Sequence, residues 1–384
     1  MMKKIFFGFI LIISILHLQA QRLSEAATAS ILSCGAGNEL YVAFGHTAIR
    51  LCDTNKHLDL VFNYGTFDFN TPNFYLKFSQ GRLPYMLSIS SFDGFMHEYQ
   101  REGRWIYEQE LNLTLEEKEK LYNLLIENYL PQNRFYAYDF FLDNCATRVR
   151  DIIDSSLIDR NLFHKTNNKE NENVSFRKLI YPYMESMQWW RLGIDIALGM
   201  RCDKVATDYQ YMFLPTELMA QLDTAQIEGE SFVKTKKMLL TESKPALSKN
   251  ISPLLVTSIL CLIVIALTLW EIKKKVYFKA VDIVLFSLVA VLSLLIIYLW
   301  FFSDHYFTKY NFNLLWANPL FIYFLFRLRK SPTYLLWIAF ACLAIPLLFF
   351  WLLPQTFNIA TFPIMLLLLI RIFNLIKQKK GSLN

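Results

Sequence analysis

Hydrophobic and polar positions split the chain into two regimes. Residues 251–376 are a nearly continuous run of Leu, Ile, Phe and Trp with short polar interruptions, whereas residues 21–250 carry most of the charge. The apolar regime holds five stretches, at 252–270, 280–302, 312–326, 333–353 and 356–376. Each is to be compared with the ~20 residues that cross a bilayer. The third is short and contains Pro319, so a broken or re-entrant segment is expected there. The pattern predicts an all-α transmembrane bundle of about five helices over 251–384.

In the first regime the periods are mixed. From Leu40, "LYVAFGHTAIRLCD", a polar "TNKH" and then "LDLVFNYGTFDF" predict a β-hairpin. "LPYMLSIS" and "RWIYEQELNL" alternate as half-buried strands do. At Thr114 the period lengthens: a Thr N-cap, Glu116 and Glu117 in the first turn and a leucine stripe predict a helix ending before Pro131. In "NRFYAYDFFLDNCATRVRDIIDSSL" the aromatic run reads as core, and Asp143 or Asn144 caps a helix with Cys145 at its start. Residues 186–225 read as further helices, where Trp189 and Trp190 suit core or membrane-interface packing better than a substrate cage. The polar stretch 226–250 reads as a juxtamembrane linker. An α+β domain with an antiparallel sheet is expected over 21–225.

Charge fixes the topology. Lys3 and Lys4 precede "IFFGFILIISILHL", which stops near Ala20, the layout of a signal peptide over 1–20; Leu18 is large for a cleavage site, so an uncleaved anchor is the other reading. "ILSC" at Cys34 is a weaker lipoprotein signal, because Arg22 and Glu25 separate it from the apolar run. Lys273, Lys274, Lys275 and Lys279, then Arg327, Arg329 and Lys330, then Arg371, Lys377, Lys379 and Lys380 fall on one side if all the segments cross. The positive-inside rule makes that side cytosolic, so the chain is expected in a bacterial inner membrane with 21–251 exported and the C-terminus cytosolic. The net charge of +6 is smaller than these eleven basic residues supply, and no basic stripe remains for a nucleic acid. Hydrophobic residues at 54% agree with membrane embedding.

Candidate chemistry centres on six cysteines. Cys261 and Cys342 fall in spans and read as inert apolar residues. Cys34, Cys52, Cys145 and Cys202 fall where disulfides are permitted; Cys34 with Cys52 is one pairing, leaving Cys145 and Cys202 to pair or stay free. A helix N-terminus favours a thiolate, so Cys145 is also a candidate nucleophile. Among His46, His57, His97 and His164, the last three look solvated. His46 lies within a strand, where an imidazole needs a partner, and Gly45 beside it permits close backbone approach. Asn63 on the partner strand is the candidate to orient it, with Asp59 as the alternative. The exported histidines and cysteines form no close pair with zinc-like spacing, and no glycine-rich phosphate loop occurs, so neither metal nor cofactor is expected. Asn144 next to Cys145 is a candidate substrate-binding residue. His305, Asn311, Asn313 and Asn318 in "DHYFTKYNFNLLWANPL" sit near membrane depth and are candidates to position a lipid head group, although turns and caps also use asparagine.

A strand histidine followed roughly a hundred residues later by "NC" opening a helix resembles the LRAT-type circularly permuted papain-like fold, and more distantly NlpC-type enzymes. LRAT-type enzymes move acyl chains from phospholipids through a thioester. A closer resemblance spans nearly the whole chain: "GNELYVAFGHTAIRL", "VFNYGTFDF", "FYLKFSQGRLPYML", "YDFFLDNCATRVRD" and "HYFTKYNFNLLWANPL" are similar to the Lnb family. That resemblance implies an exported domain followed by a multi-span domain. It implies lipoprotein N-acylation, with a phospholipid acyl donor and a diacylated lipoprotein acceptor. The residue spacing does not identify the acceptor. The rival readings are a papain-like cell-wall peptidase or amidase, and a non-enzymatic membrane scaffold in which Cys145 pairs with Cys202.

Overall fold

The computed structural model describes residues 23–37, 39–158, 162, 174–243 and 251–381; the expected signal peptide and His164 lie outside the described residues. Strands run at Ala27–Cys34 (β1), His46–Asp53 (β2), Leu58–Thr66 (β3), Pro84–Ser91 (β4), Ile106–Leu111 (β5), Phe135–Ala137 (β6), Gln226–Ile227 (β7), Glu230–Ser231 (β8) and Val233–Leu240 (β9). Helices run at Phe74–Gln80 (α1), Phe92–Glu102 (α2), Leu115–Tyr129 (α3), Cys145–Ser156 (α4), Phe176–Ile180 (α5), Gln188–Ala197 (α6), Asp208–Tyr211 (α7) and Pro215–Thr224 (α8). Six more follow: Pro253–Lys274 (α9), Lys279–Phe301 (α10), Asn313–Trp316 (α11), Leu320–Arg327 (α12), Thr333–Leu348 (α13) and Thr361–Gly381 (α14).

These elements form two compact units. Residues 1–69, 84–168 and 207–245 belong to one, and 70–83, 169–206 and 246–384 to the other.

The first unit is an antiparallel sheet ordered β6-β4-β3-β2-β1-β5-β9. One face packs Ile31, Leu51 and Phe62 against Leu121 and Leu125 of α3, Val149 and Ile153 of α4 and Leu218 of α8. The other packs Leu32, Ala48 and Val61 against Phe95 of α2. The expected hairpin is β2 and β3. Its turn is a 3-10 stretch at Thr54–Lys56 closed by His57 in the left-handed region. The strand begins at His46, however, because Leu40–Val42 form a 3-10 turn. The α3 helix carries the expected Thr114 cap, reciprocated by Glu117. The stretch 226–250 differs from a plain linker: β9 extends the sheet by pairing with β5. Its lysines point outward from an edge strand, where only the backbone has to pair.

Among the described residues of the second unit, three helices are long and apolar enough to cross a membrane: α9, α10 and α14, with α13 shorter at 16 residues. The third expected span is broken: α11 and α12 are short helices separated at Ala317–Pro319, as the proline suggested. Residues 174–206, expected in the exported domain, group with these helices. A buried polar network accounts for it. Arg177, fully buried, binds the Asp195 and Asp203 carboxylates and the Leu198 and Gly199 carbonyls. Asp195 also accepts from Asn358 at 2.8 Å. Trp189 and Trp190 are exposed, and the Trp189 indole donates to the Ile251 carbonyl where α9 begins, a membrane-interface position.

Candidate active site

His46 and Cys145 are linked at the end of two interior strands, where β1 stops and β2 begins: the backbone N–H of Thr47, next to His46, approaches the Cys145 sulfur. His46 stands opposite Cys34 in the β1–β2 register. The chain enters β2 through Gly45, whose φ is +82° and on which a Cβ would lie 2.7 Å from the Cys34 carbonyl oxygen. Only glycine fits that approach.

Asn63 on β3 places Oδ1 3.3 Å from His46 Nε2. Its amide nitrogen is turned the other way, to Val61 O and Ser90 Oγ. Since Oδ1 can only accept, Nε2 carries the ring proton and Nδ1 the lone pair. Asp59, the alternative orienting residue, is instead bound in a two-pronged ion pair with Arg50.

Cys145 is the first residue of α4. Asn144 caps that helix, its Oδ1 accepting from Ala146 N and Thr147 N, while Nδ2 donates to Phe140 O and Phe213 O. Every polar atom of that buried amide is used inside the protein, so Asn144 positions Cys145 and has no group left for a substrate. Backbone N–H groups of Thr47, Ala146 and Cys145 itself approach the sulfur. Burial nevertheless dominates and holds the thiol above its ordinary pKa. Burial, aided by the positive Arg104 and opposed by the Asn63 hydrogen bond, pushes His46 down to about 4. At neutral pH the site therefore rests as a thiol and an uncharged imidazole.

Two further residues shape it. Arg104 is buried, donates to Gly35 O at 2.7 Å and to Glu102, and spreads positive potential over Cys34, His46 and Cys145. Tyr136 on β6 brings its hydroxyl over Gly65, opposite the sulfur-bearing helix end. A Cβ on Gly65 would lie 3.6 Å from Cys145 Cβ and 3.8 Å from Tyr136 Oη. That hydroxyl is buried and has no hydrogen-bond partner among the described residues. Sequence reasoning missed both. Arg104 sits in an unremarkable charged stretch, and Tyr136 is hidden in an aromatic run that reads as core. From the same point over Gly65, rings lead outward: Tyr138, stacked on Tyr85 at 4.3 Å, then Phe67 at 5.3 Å, then the exposed Tyr41 at 6.2 Å.

The remaining candidates have other places. All six cysteines are free. Cys52 pairs with Thr28 at the far end of the hairpin, about 20 Å from Cys34 at ~3.4 Å per strand residue, which excludes that disulfide. Burial pushes the Cys34 thiol up to about 12 and the Cys202 thiol up as well, so both are inert. His57 and His97 are exposed, as expected. In the second unit Asn311 donates to Ile196 O and Ala197 O and accepts from Asn313 N and Gln355. Asn313 donates to Asp195 O and Ile196 O and accepts from Trp316. Asn318 caps α12. His305 packs on Gly81 and bonds Phe78 O at 3.1 Å. Asn311 and Asn313 are both buried, every polar atom of Asn311 and both amide N–H groups of Asn313 are used within the helical unit, and these bonds give them a structural place there. Among the described residues no cluster of His, Cys, Asp and Glu is arranged to hold a metal ion.

A family model described as the Lnb N-terminal periplasmic domain matches residues 17–181. A second, described as the Lnb transmembrane domain, matches residues 245–381. Comparison with curated proteins and with solved structures found no match.

Proposed function

Because the chain belongs to the Lnb family, and is thus an inner-membrane protein with a periplasmic N-terminal domain, we propose that it is a lipoprotein N-acyltransferase. It takes a fatty acyl chain from a phospholipid and passes it, through a thioester on Cys145, to the N-terminal amine of a diacylated lipoprotein. The C-terminus lies in the cytosol in this reading, following the basic loops.

The reaction divides into two transfers. The Cys145 thiol gives its proton to His46 Nδ1 as sulfur attacks the ester carbonyl; the C–O bond breaks, and the departing lysophospholipid takes that proton back. The amine then attacks the thioester, loses a proton to His46, and the thiolate leaves and is reprotonated. Asn63 holds the ring by Nε2–H throughout, the orienting part of a triad. The oxyanion formed at each step is met by the Cys145 backbone N–H and the Tyr136 hydroxyl.

The observation that carries an acyl substrate rather than a peptide is the aromatic path from Cys145 through Tyr138, Tyr85 and Phe67 to exposed Tyr41. An alkyl chain gains from such a wall; a polar peptide backbone would be left unsatisfied against it. The test is mass spectrometry of lipoprotein N-termini from cells with and without the protein. Loss of the third acyl chain supports the reading, and unchanged triacylation in its absence rules it out. Tyr136→Phe separates the oxyanion role from packing. It is expected to lower kcat by about 10²-fold, the scale of one oxyanion donor, with KM and thermal stability near wild type. An unchanged kcat removes Tyr136 from the mechanism and leaves the rest standing.

A further inference from the structure

Segment 70–83 and the end of α10 enclose a cleft of about 630 Å³, within the ~300–1,000 Å³ range of small-ligand sites. Since the N-terminal domain is periplasmic, α9 runs inward and α10 returns, which puts this end of α10 at the outer-leaflet interface. The wall toward the span is apolar: Leu294, Ile297 and Phe301, of which Leu294 and Phe301 are 54% and 64% exposed. The rim is charged. Arg82 Nε and Nη2 hold Asp304 at 2.6 and 3.3 Å, leaving Nη1 outside that pair. Lys309 Nζ donates to Trp300 O at 2.9 Å and Ser303 O at 2.8 Å, which fixes the ammonium on uncharged carbonyls. Two cations and one carboxylate leave the rim with one positive charge in excess.

We propose that this cleft binds a phospholipid of the outer leaflet, its phosphodiester on Arg82 and Lys309 and an acyl chain along Leu294, Ile297 and Phe301. The single negative charge of a phosphodiester matches the rim. An apolar chain covers a wall that the fold leaves uncovered at the level where lipid chains begin. Guanidinium and ammonium donors favour a phosphate over a neutral head group, because charge-assisted hydrogen bonds are about twice as strong as neutral ones. Nothing in this depends on chemistry at Cys145.

The experiment is native mass spectrometry of the full-length chain in detergent, titrated with palmitoyl-oleoyl phosphatidylethanolamine, with dioleoylglycerol as the head-group-free control. Wild type is expected to bind the phospholipid about tenfold more tightly than the diacylglycerol, and Arg82→Gln with Lys309→Gln to erase that preference, the scale of lost charge-assisted bonds. Ile297→Trp, which fills the apolar end and leaves the Arg82–Asp304 pair intact, is expected to weaken both lipids. It carries the test alone if the double variant does not fold. Equal binding of phospholipid by wild type and Ile297→Trp overturns the proposal, as does equal binding of the two lipids by wild type.

Discussion

Replacing Cys145 by alanine is expected to abolish N-acylation in cells while the protein accumulates in the membrane at its normal level. Removing the nucleophile of a covalent mechanism costs on the order of 10⁴- to 10⁶-fold in kcat. The fold does not depend on the thiol, because the α4 cap is made by Asn144 and Thr147 and is untouched by the change. Serine is expected to be nearly as inactive as alanine. An alcohol is a far weaker acid than a thiol, and a base held down to about 4 cannot draw its proton. Mass spectrometry of lipoprotein N-termini reads the outcome, and triacylation at wild-type level in either variant ends the assignment of Cys145. The same chemistry sets a pH profile. His46 must be neutral to accept the thiol proton, so kcat/KM for the phospholipid donor, which does not involve the acceptor amine, is expected to fall on the acid side only as the pH drops through about 4. An acid limb near 6.5, where a solvated histidine titrates, would mean that His46 is not buried in the working enzyme.

How much of this was readable in advance differs element by element. The β2–β3 hairpin, the α3 helix and the start of α4 were legible because their signals are local: alternation, a capping box, and an Asn before a helix. His46 and Asn63 were legible together because a hairpin brings its two strands into register within one short turn. The β1 strand was not, although it is central. "ATASILSC" is mostly small residues buried on both faces, which leaves no alternation to read. The β9 strand was lost for the opposite reason, being an edge strand full of lysine. Tyr136 and Arg104 reach the site from β6 and from the turn just before β5, and no sequence pattern records which distant strands end beside a given cysteine. For the asparagines at 311 and 313 the sequence leaves two explanations of a polar residue at membrane depth, ligand and scaffold. Their hydrogen bonds to the end of α6, which no sequence pattern records, favour the second.

Arg371 was counted among the cytosolic basic residues, yet it is fully buried in the helical unit, and from that follows the largest expected loss of stability. Its guanidinium binds Glu271 of α9 and Asp282 of α10, both equally buried, and Thr268 at 2.9 Å. Three spanning helices are thereby joined at one point. Tyr277 donates to Asp282 at 2.8 Å, Asn374 to Glu271 at 3.0 Å and Phe278 N to Glu271 at 2.7 Å, so the carboxylates are satisfied as long as the arginine is present. Arg371→Met keeps the volume and removes the charge, leaving two carboxylates facing each other out of reach of water. Breaking a buried pair from one side costs about 3–5 kcal/mol. Arg371→Met is therefore expected to lower the unfolding temperature sharply and to deplete the protein from membranes. Adding Glu271→Gln and Asp282→Asn to the same chain removes the stranded charges and keeps hydrogen-bonding side chains of the same shape. That triple variant is expected to recover most of the loss. Thermal unfolding in detergent compares the three. Equal melting of wild type and Arg371→Met would mean that packing alone holds α9, α10 and α14 together. Failure of the triple variant to recover would mean that the arginine contributes through its own hydrogen bonds and not by neutralising its neighbours.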